Sequence, residues 1–279
     1  MSAKVALVTG GSSGIGEAAA TALLNAGFTV HAAARRTDRM ASIAAAGAKV
    51  VALDVTDDAS MSSVIDAIIR AEGRIDVLVN NAGYGSYGAL EDVPLSEARS
   101  QIEVNVFGLA RLTQLVLPHM RAQRSGTIIN ISSMGGRFAT PLGAWYHASK
   151  YAVEGLSDAL RLEAEPLGIH VVLVEPGSIQ TDWGSIAAEK LTATSGSGSY
   201  GPQAAAVAAR LENSSQPGAP MTSTPSVIAK AILRAATARR PKTRYKAGYG
   251  ARPMILLSRM LPDRVFDAVT RRLFALPTD

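Results

Sequence analysis

The stretch Val5-Ala6-Leu7-Val8-Thr9-Gly10-Gly11-Ser12-Ser13-Gly14-Ile15-Gly16 decides the fold. Residues 5–8 form a short apolar run that passes straight into a glycine-rich turn. Glu17–Ala26 then has helical composition and stops at Gly27. Strand, glycine turn and helix in that order open a βαβ unit. Glycine permits positive φ and lets backbone come close to a pyrophosphate, while the helix start offers unpaired amides and a positive dipole. Any tight strand–helix turn attracts glycine, so the spacing alone is a weak signal. Placed after a strand at residue 10, it reads as nucleotide binding through Gly10, Ser12, Ser13, Gly14, Ile15 and Gly16.

Working outward, the same alternation repeats. Thr29–Ala34, Lys49–Leu53, Asp76–Val79, Thr127–Ile131 and His170–Val174 read as further strands. Between them lie helical stretches at Met40–Ala46, Met61–Glu72, Ser96–Met120 and Tyr146–Glu165. In Met61–Glu72 the apolar residues Met61, Val64, Ile65, Ile68 and Ile69 recur at helical spacing. Near-continuous apolar strands alternating with helices predict an α/β fold: a Rossmann-type, doubly wound parallel sheet with helices on both faces. Regularity stops after residue 182. Residues 192–225 are dominated by Thr, Ser, Gly, Ala and Pro, and no second βα array follows them. The expectation is one catalytic domain over residues 1–250 with an active-site lid at about 182–225. Val227–Thr237 reads as a helix returning to the core, and 251–279 as a basic amphipathic extension.

A hydrophobic content of 47% against 18% charged residues describes a globular chain with a sizeable core. Met1 leads into the first strand without the apolar stretch of a signal peptide, and no run is long enough to span a membrane. The absence of cysteine rules out disulfides and thiolate metal sites, and fits a cytoplasmic enzyme. No His, Asp or Glu cluster suggests a metal. The net charge is +5. Residues 230–272 hold twelve Lys or Arg against two acidic residues, a local net of +10, so the rest of the chain sums to −5. This basic segment reads as a solvated helical surface or as a site for anions. Leu261, Val265, Val269 and Leu273 recur every four residues and predict an apolar stripe, with Arg264, Arg271 and Arg272 mostly off it. Packing as a lid or on a partner subunit is favoured over contact with a lipid surface. Few aromatics and no binding motif in the segment argue against nucleic acid.

Ala34 stands where dinucleotide-binding folds usually place the acidic residue that holds the adenosine ribose, and Arg35-Arg36 follow. A missing carboxylate removes repulsion of a 2′-phosphate, which a guanidinium binds bidentately. NADP is therefore expected over NAD, unless the two arginines merely flank a loop. Asp54 and Val55 follow strand three, where Asp54 either meets the adenine amino group or caps a turn. Asn81, Ala82 and Gly83 lie at the end of strand four, where doubly wound sheets bind ligands.

Tyr146 and Lys150, four apart, share one helix face. A free tyrosine has a pKa near 10, about three units too high for a base at neutral pH, or about 4 kcal/mol. One ammonium about 4 Å away at an effective dielectric near 20 supplies about that much. Such a pair alone is a frequent accident. Together, however, these residues resemble the short-chain dehydrogenase/reductase family over roughly residues 4–182. Thr9–Gly16 matches its Thr-Gly-x-x-x-Gly-x-Gly turn, and Asn80–Gly83 its Asn-Asn-Ala-Gly segment. Asn105 matches its helix asparagine, Ser133 its serine thirteen residues before the tyrosine, and Pro176-Gly177-Ser178-Ile179-Gln180-Thr181 its nicotinamide stretch. No catalytic position departs from the pattern.

The resemblance implies that Tyr146 gives a proton to, or takes one from, the substrate oxygen. Ser133 would hydrogen-bond that oxygen, and Lys150 would lower the tyrosine pKa and hold the nicotinamide ribose. Asn105 would complete a proton relay through water. Pro176, Gly177, Ile179 and Thr181 would contact the nicotinamide end. Ser132, Ser149 and His147 read as turn and packing residues, His147 alternatively facing the substrate. Tyr84, Met134, Phe138, Leu142, Trp183 and Tyr200 predict an apolar lining for a small carbonyl or alcohol substrate, in a style similar to the hydroxysteroid- and retinol-dehydrogenase-like branch. The family also implies a homo-oligomer, dimer or tetramer, formed through the long helices Arg99–Met120 and Tyr146–Glu165. A different class of reading is a catalytically weak, NADP-sensing binding protein, which turnover of any carbonyl would set aside.

Overall fold

The computed structural model describes residues 3–274. Seven strands form one parallel sheet in the order β3-β2-β1-β4-β5-β6-β7. They are β1 (Val5–Thr9), β2 (Thr29–Ala34), β3 (Lys49–Ala52), β4 (Val77–Asn80), β5 (Gly126–Ile131), β6 (Ile169–Pro176) and β7 (Arg244–Ala247). In β1, alternate side chains serve opposite faces. Ala6 and Val8 pack under α1 (Gly14–Asn25) and α9 (Pro225–Thr237), with Leu23, Ile228 and Ile232. Val5 and Leu7 pack under α3 (Asp58–Glu72) and α5 (Leu109–Gln123), with Ile65, Ile68, Leu112 and Val116. Burial on both faces accounts for strands that lack a polar side. β1 pairs with both β2 and β4, Val5 opposite Thr29 and Ala6 opposite Val77. The winding direction reverses there, and a crevice opens beyond the strand ends.

Short elements complete the layers: α2 (Ala41–Ala45), α4 (Leu95–Ile102) and the long α6 (Ala144–Ala164). The single helix expected over Ser96–Met120 is interrupted by a π segment, Glu103–Gly108. Gly108 permits this approach, because a Cβ there would lie 2.4 Å from the Val55 carbonyl oxygen.

Three differences from the sequence reading concern the C-terminal third. The segment at about 182–225, expected as an irregular active-site lid, holds two helices, α7 (Asp182–Ser195) and α8 (Gly201–Ser215). Pro202 stands in the first turn of α8, and its alanines are strong helix formers. Ala204 and Val207 are buried against Ala187 and Leu191 of α7. β7 was unforeseen: Arg-Tyr-Lys-Ala is half-buried and carries no apolar run. The extension folds as α10 (Ala251–Met260) and α11 (Asp263–Leu273), with residues 275–279 outside the described ones.

The expected stripe Leu261, Val265, Val269, Leu273 is not the buried face of α11. Phe266 and Thr270 are buried, whereas Val265 is 47% and Leu273 39% exposed. A four-residue step advances about 40° beyond a full turn, so such a stripe spirals away from any flat neighbour. Phe266 instead stacks edge-on against Phe138 at 5.3 Å, with Ile255 and Met134 in the same cluster.

Candidate active site

A cavity of about 1990 Å³ opens along the C-terminal strand ends. It runs from Arg35, Arg36, Asp54 and Val55, past the glycine turn, to Ser133, Tyr146 and Lys150, and on beneath α7 and α8. The site residues singled out from sequence line it, except Gly16 and Asn105.

Gly16 acts from behind. A Cβ there would lie 2.1 Å from the Gly10 carbonyl oxygen, so only glycine allows the turn to fold back on its helix. Gly10 and Gly14 have φ of 66° and 57°, the left-handed region that other residues avoid. Asn81 locks the turn from β4, its Nδ2 donating to the Thr9 carbonyl at 3.0 Å and the Gly10 carbonyl at 3.3 Å. Thr9, a residue the site reading passed over, is the reciprocal brace: its Oγ1 accepts from the amides of Asn81 and Ala82, each at 3.0 Å. Its place as the last β1 residue opposite β4 was the available signal.

At the end expected to hold the adenosine, Arg35 and Arg36 are exposed beside the cavity, while Ala34 ends β2 without a carboxylate. Asp54 takes the turn-capping role, its Oδ1 accepting from Thr56 N at 2.9 Å and Oγ1 at 2.8 Å. Burial works to raise its pKa, but the Thr56 bonds and the nearby Arg35 outweigh it and hold the carboxyl below its ordinary value. At the opposite end, the loop Pro176–Thr181 is stitched to its surroundings. Gly177 N donates to Ala247 O at 2.8 Å, and Gln180 N to Ser223 O at 2.9 Å. A Cβ on Gly14 would lie 2.9 Å from Thr181 Cγ2, so this loop closes over the glycine turn.

The residues expected to react come from three elements. β5 delivers Ser133, which begins a tight 3-10 turn and whose Oγ accepts from Gly135 N at 3.0 Å. Ser132 Oγ is buried away from it, behind the turn, where a Cβ on Gly136 would be 2.7 Å distant. α6 delivers Tyr146 and Lys150 from successive turns. Lys150 Nζ donates to Ile131 O at 2.9 Å and lies 6.0 Å from the Tyr146 ring centroid. Burial pushes the Tyr146 phenol up to about 12, with a hydrogen bond to Ser133 working the other way. Burial also pulls Lys150 down to about 8, opposed by the Glu154 carboxylate one turn on. Burial thus acts on the tyrosine against the lowering expected from its lysine, whose ammonium is turned to the Ile131 carbonyl.

Asn105 sits in the π segment, a device that often marks functional positions. Its Oδ1 accepts from Tyr84 N at 3.1 Å, and its Nδ2 donates to Tyr84 O and Ser149 Oγ, each at 3.0 Å. Ser149 is thus a packing residue that steadies Asn105. A Cβ on Gly83 would be 2.9 Å from Asn105 Oδ1 and 3.8 Å from Lys150 Nζ, so Gly83 keeps open the space between them. His147 borders the cavity with both ring nitrogens engaged by protein groups. Its Nδ1 donates to Gly135 O at 2.8 Å, which leaves Nε2 to accept from Thr140 N at 2.9 Å. Burial lowers its pKa, so the neutral ring braces the serine turn.

The cavity's far wall is aromatic. Trp183, in the first turn of α7, lies 5.0 Å from Tyr146 and 5.8 Å from Tyr87 between ring centroids. Tyr84, Met134, Phe138 and Trp183 line the cavity as expected, whereas Leu142 and Tyr200 do not. Tyr87, Thr140, Ile186 and Met254 line it without having been singled out. Only the α7 and α10 packing brings the last two there.

An elongated cradle with glycine-lined backbone at one end and paired Ser and Tyr hydroxyls at the other fits a dinucleotide lying against a carbonyl or alcohol. The fold and site define a nicotinamide-dependent oxidoreductase. The short chain dehydrogenase family profile matches residues 4–191. Oxidoreductase BOA17 from Botryotinia fuckeliana is 35% identical over 249 residues, covering 88% of this chain and 89% of that protein. A short chain dehydrogenase/reductase from Burkholderia phymatum, solved in complex with NAD, superposes with a TM-score of 0.78. It is 26% identical, over 99% of this chain and 97% of that one. A metagenomic short-chain oxidoreductase solved with NADP gives a TM-score of 0.67 and 28% identity, over 88% of this chain and 96% of that one. The chain belongs to the short-chain dehydrogenase/reductase family.

Proposed function

We propose that this enzyme is NADP(H)-dependent and interconverts an alcohol and a carbonyl on a hydrophobic small molecule. The observation that carries the reading is that Ser133 and Tyr146 line one cavity with Tyr87, Phe138 and Trp183. A bound nicotinamide supplies the hydride in reduction and accepts it in oxidation. Tyr146 passes its proton to the substrate oxygen in reduction and recovers it in oxidation. Ser133 donates a hydrogen bond where negative charge builds on that oxygen. Lys150 holds positive charge behind the phenol, and Asn105 faces it across Gly83, the side from which a proton relay reaches the lysine. The aromatic walls suit ring-containing or long apolar ketones, the style of the hydroxysteroid- and retinol-dehydrogenase-like branch.

NADP over NAD rests on Ala34, Arg35 and Arg36. Replacing Arg35 with Ala is expected to weaken NADPH binding by about 1.5–3 kcal/mol, the size of a lost charge-assisted bond, while barely changing NADH. Titration calorimetry with both cofactors reads this; equal losses for both would make Arg35 a loop residue. A panel of apolar ketones and alcohols, followed by NADPH absorbance, tests the reaction, and no turnover of any of them would favour the sensing protein instead. A homo-oligomer is part of the same proposal, because Phe107, Tyr151 and Leu162 are 57%, 48% and 71% exposed on the helices expected to pair.

A further inference from the structure

One face of the molecule is apolar and basic at once. α10 turns Ala251 and Ile255 inward, so its outer side consists of Pro253, Leu256, Leu257 and Met260. Leu256 is 57% and Met260 70% exposed. This apolar strip continues to the rim of the cavity. Pro253 borders the cavity itself, as do Tyr249 and Met221, which are 49% and 52% exposed. Arg252 and Arg259 flank the strip on α10, and Arg264, Arg271 and Arg272 stand on the outer side of α11; all five are exposed. Among the described residues none of them forms an ion pair. Against them α10 and α11 set only Asp263 and Asp267.

Such a face needs a cover that is apolar at its centre and anionic around it. A second copy of this chain is a poor one. A two-fold dimer sets the patch against itself and brings both sets of arginines together. A bilayer with acidic headgroups satisfies both demands, taking leucine and methionine into the acyl boundary and guanidinium groups onto phosphates. No helix among the described residues is long and apolar enough to cross a membrane, so the contact is peripheral. We propose that α10 and α11 dock on an anionic phospholipid surface, with the cavity rim facing the lipid. An apolar substrate then reaches Tyr146 without first dispersing in water; this last clause rests on the proposed function, whereas the docking does not.

Co-sedimentation of the full chain with vesicles tests it. The chain is expected to pellet with phosphatidylcholine vesicles that contain phosphatidylserine, to remain in solution with phosphatidylcholine alone, and to be released by salt. The double variant Leu256→Gln, Met260→Gln should lower the vesicle partition constant roughly tenfold or more, since both side chains lose their apolar burial. Neither residue borders the cavity, so NADPH affinity should stay unchanged, which also reports that the variant is folded. A wild-type chain that ignores phosphatidylserine vesicles overturns the docking, as does a folded variant that binds them undiminished. A variant that changes oligomer size in sedimentation while the wild type never binds vesicles assigns the face to a second copy, and overturns it too. NADPH binding and ketone turnover are read without vesicles, so failure of the docking leaves the proposed reaction untouched.

Discussion

At Tyr146 and Lys150 burial moves two neighbouring groups in opposite directions, the phenol up to about 12 and the ammonium down to about 8. Across the neutral range the phenol therefore keeps its proton for donation, and the lysine is the group that titrates. In the proposed mechanism Lys150, charged below about 8, steadies the negative charge left on Tyr146 as its proton departs. Above that value the support is lost, so the reduction rate should hold up to about pH 8 and fall beyond it. A kcat profile measures this, and Lys150→Met should flatten that limb. The sign for stability is opposite. The unfolded lysine titrates near 10.5, so between about 8 and 10.5 the unfolded chain binds the extra proton and stability rises with pH. Tyr146→Phe removes the proposed proton donor but no phosphate or ribose contact from the glycine turn. It is expected to cut turnover to below about a tenth, in practice to background, with NADPH affinity nearly intact. The shared helix face of this pair was legible from the Tyr-x-x-x-Lys spacing. The turning of Lys150 to the Ile131 carbonyl was not, because the end of β5 supplies that acceptor.

At the scale of elements, β7 has little local encouragement and is held by partners distant in the chain. Arg244 donates to Glu154 at 3.1 Å and Asp158 at 2.6 Å, both on α6, and its Nε lies 3.3 Å from Glu175 of β6. Arg137, just past the serine turn, donates to the same Glu154 at 3.2 Å. Glu154 and Glu175 are buried, and burial, with Glu154 adding to it, pushes the Glu175 carboxyl up. Removing one cation from such a cluster leaves buried carboxylates short of charge. Arg244→Ala is expected to destabilise the fold by about 3–5 kcal/mol, the usual cost of breaking a buried pair. Chemical denaturation reads it, and a loss below about 1 kcal/mol would mean that the network is solvent-screened. Four half-buried residues, Arg-Tyr-Lys-Ala, gave no periodic signal for this strand. The π segment gave no local signal either; what accompanies it is a tertiary contact, the close approach of Gly108 to the Val55 carbonyl.

For the whole molecule, two sets of exposed apolar side chains bear on what it associates with. Phe107, Tyr151 and Leu162 lie on the helices of the proposed subunit contact, and Leu256 and Met260 lie on α10. The first set has a direct test. Burying one such side chain contributes about 1.5–3 kcal/mol, so Leu162→Asp should raise the subunit dissociation constant by roughly tenfold or more. Sedimentation velocity at several concentrations should show smaller species, with cofactor binding per chain unchanged. An unaltered size distribution would place the subunit contact elsewhere.

What the amino-acid sequence determined by itself is local or periodic. Glycines at 10, 14 and 16 permit one kind of turn, alternating apolar strands and helices permit one kind of sheet, and Tyr146 and Lys150 share a face through helical spacing. Ala34-Arg35-Arg36 sets the charge after β2 in the same local way. Tertiary structure decided whatever depends on partners distant in the chain. It chose Phe266 over the four-residue stripe because Phe138 lies opposite, made helices of 182–215 because Ala187, Leu191, Ala204 and Val207 bury one another, and turned His147 into a brace because Gly135 and Thr140 flank it. Desolvation is such a property too: no spacing in the sequence reports how much water surrounds Tyr146 or Lys150, and that is what sets their protonation.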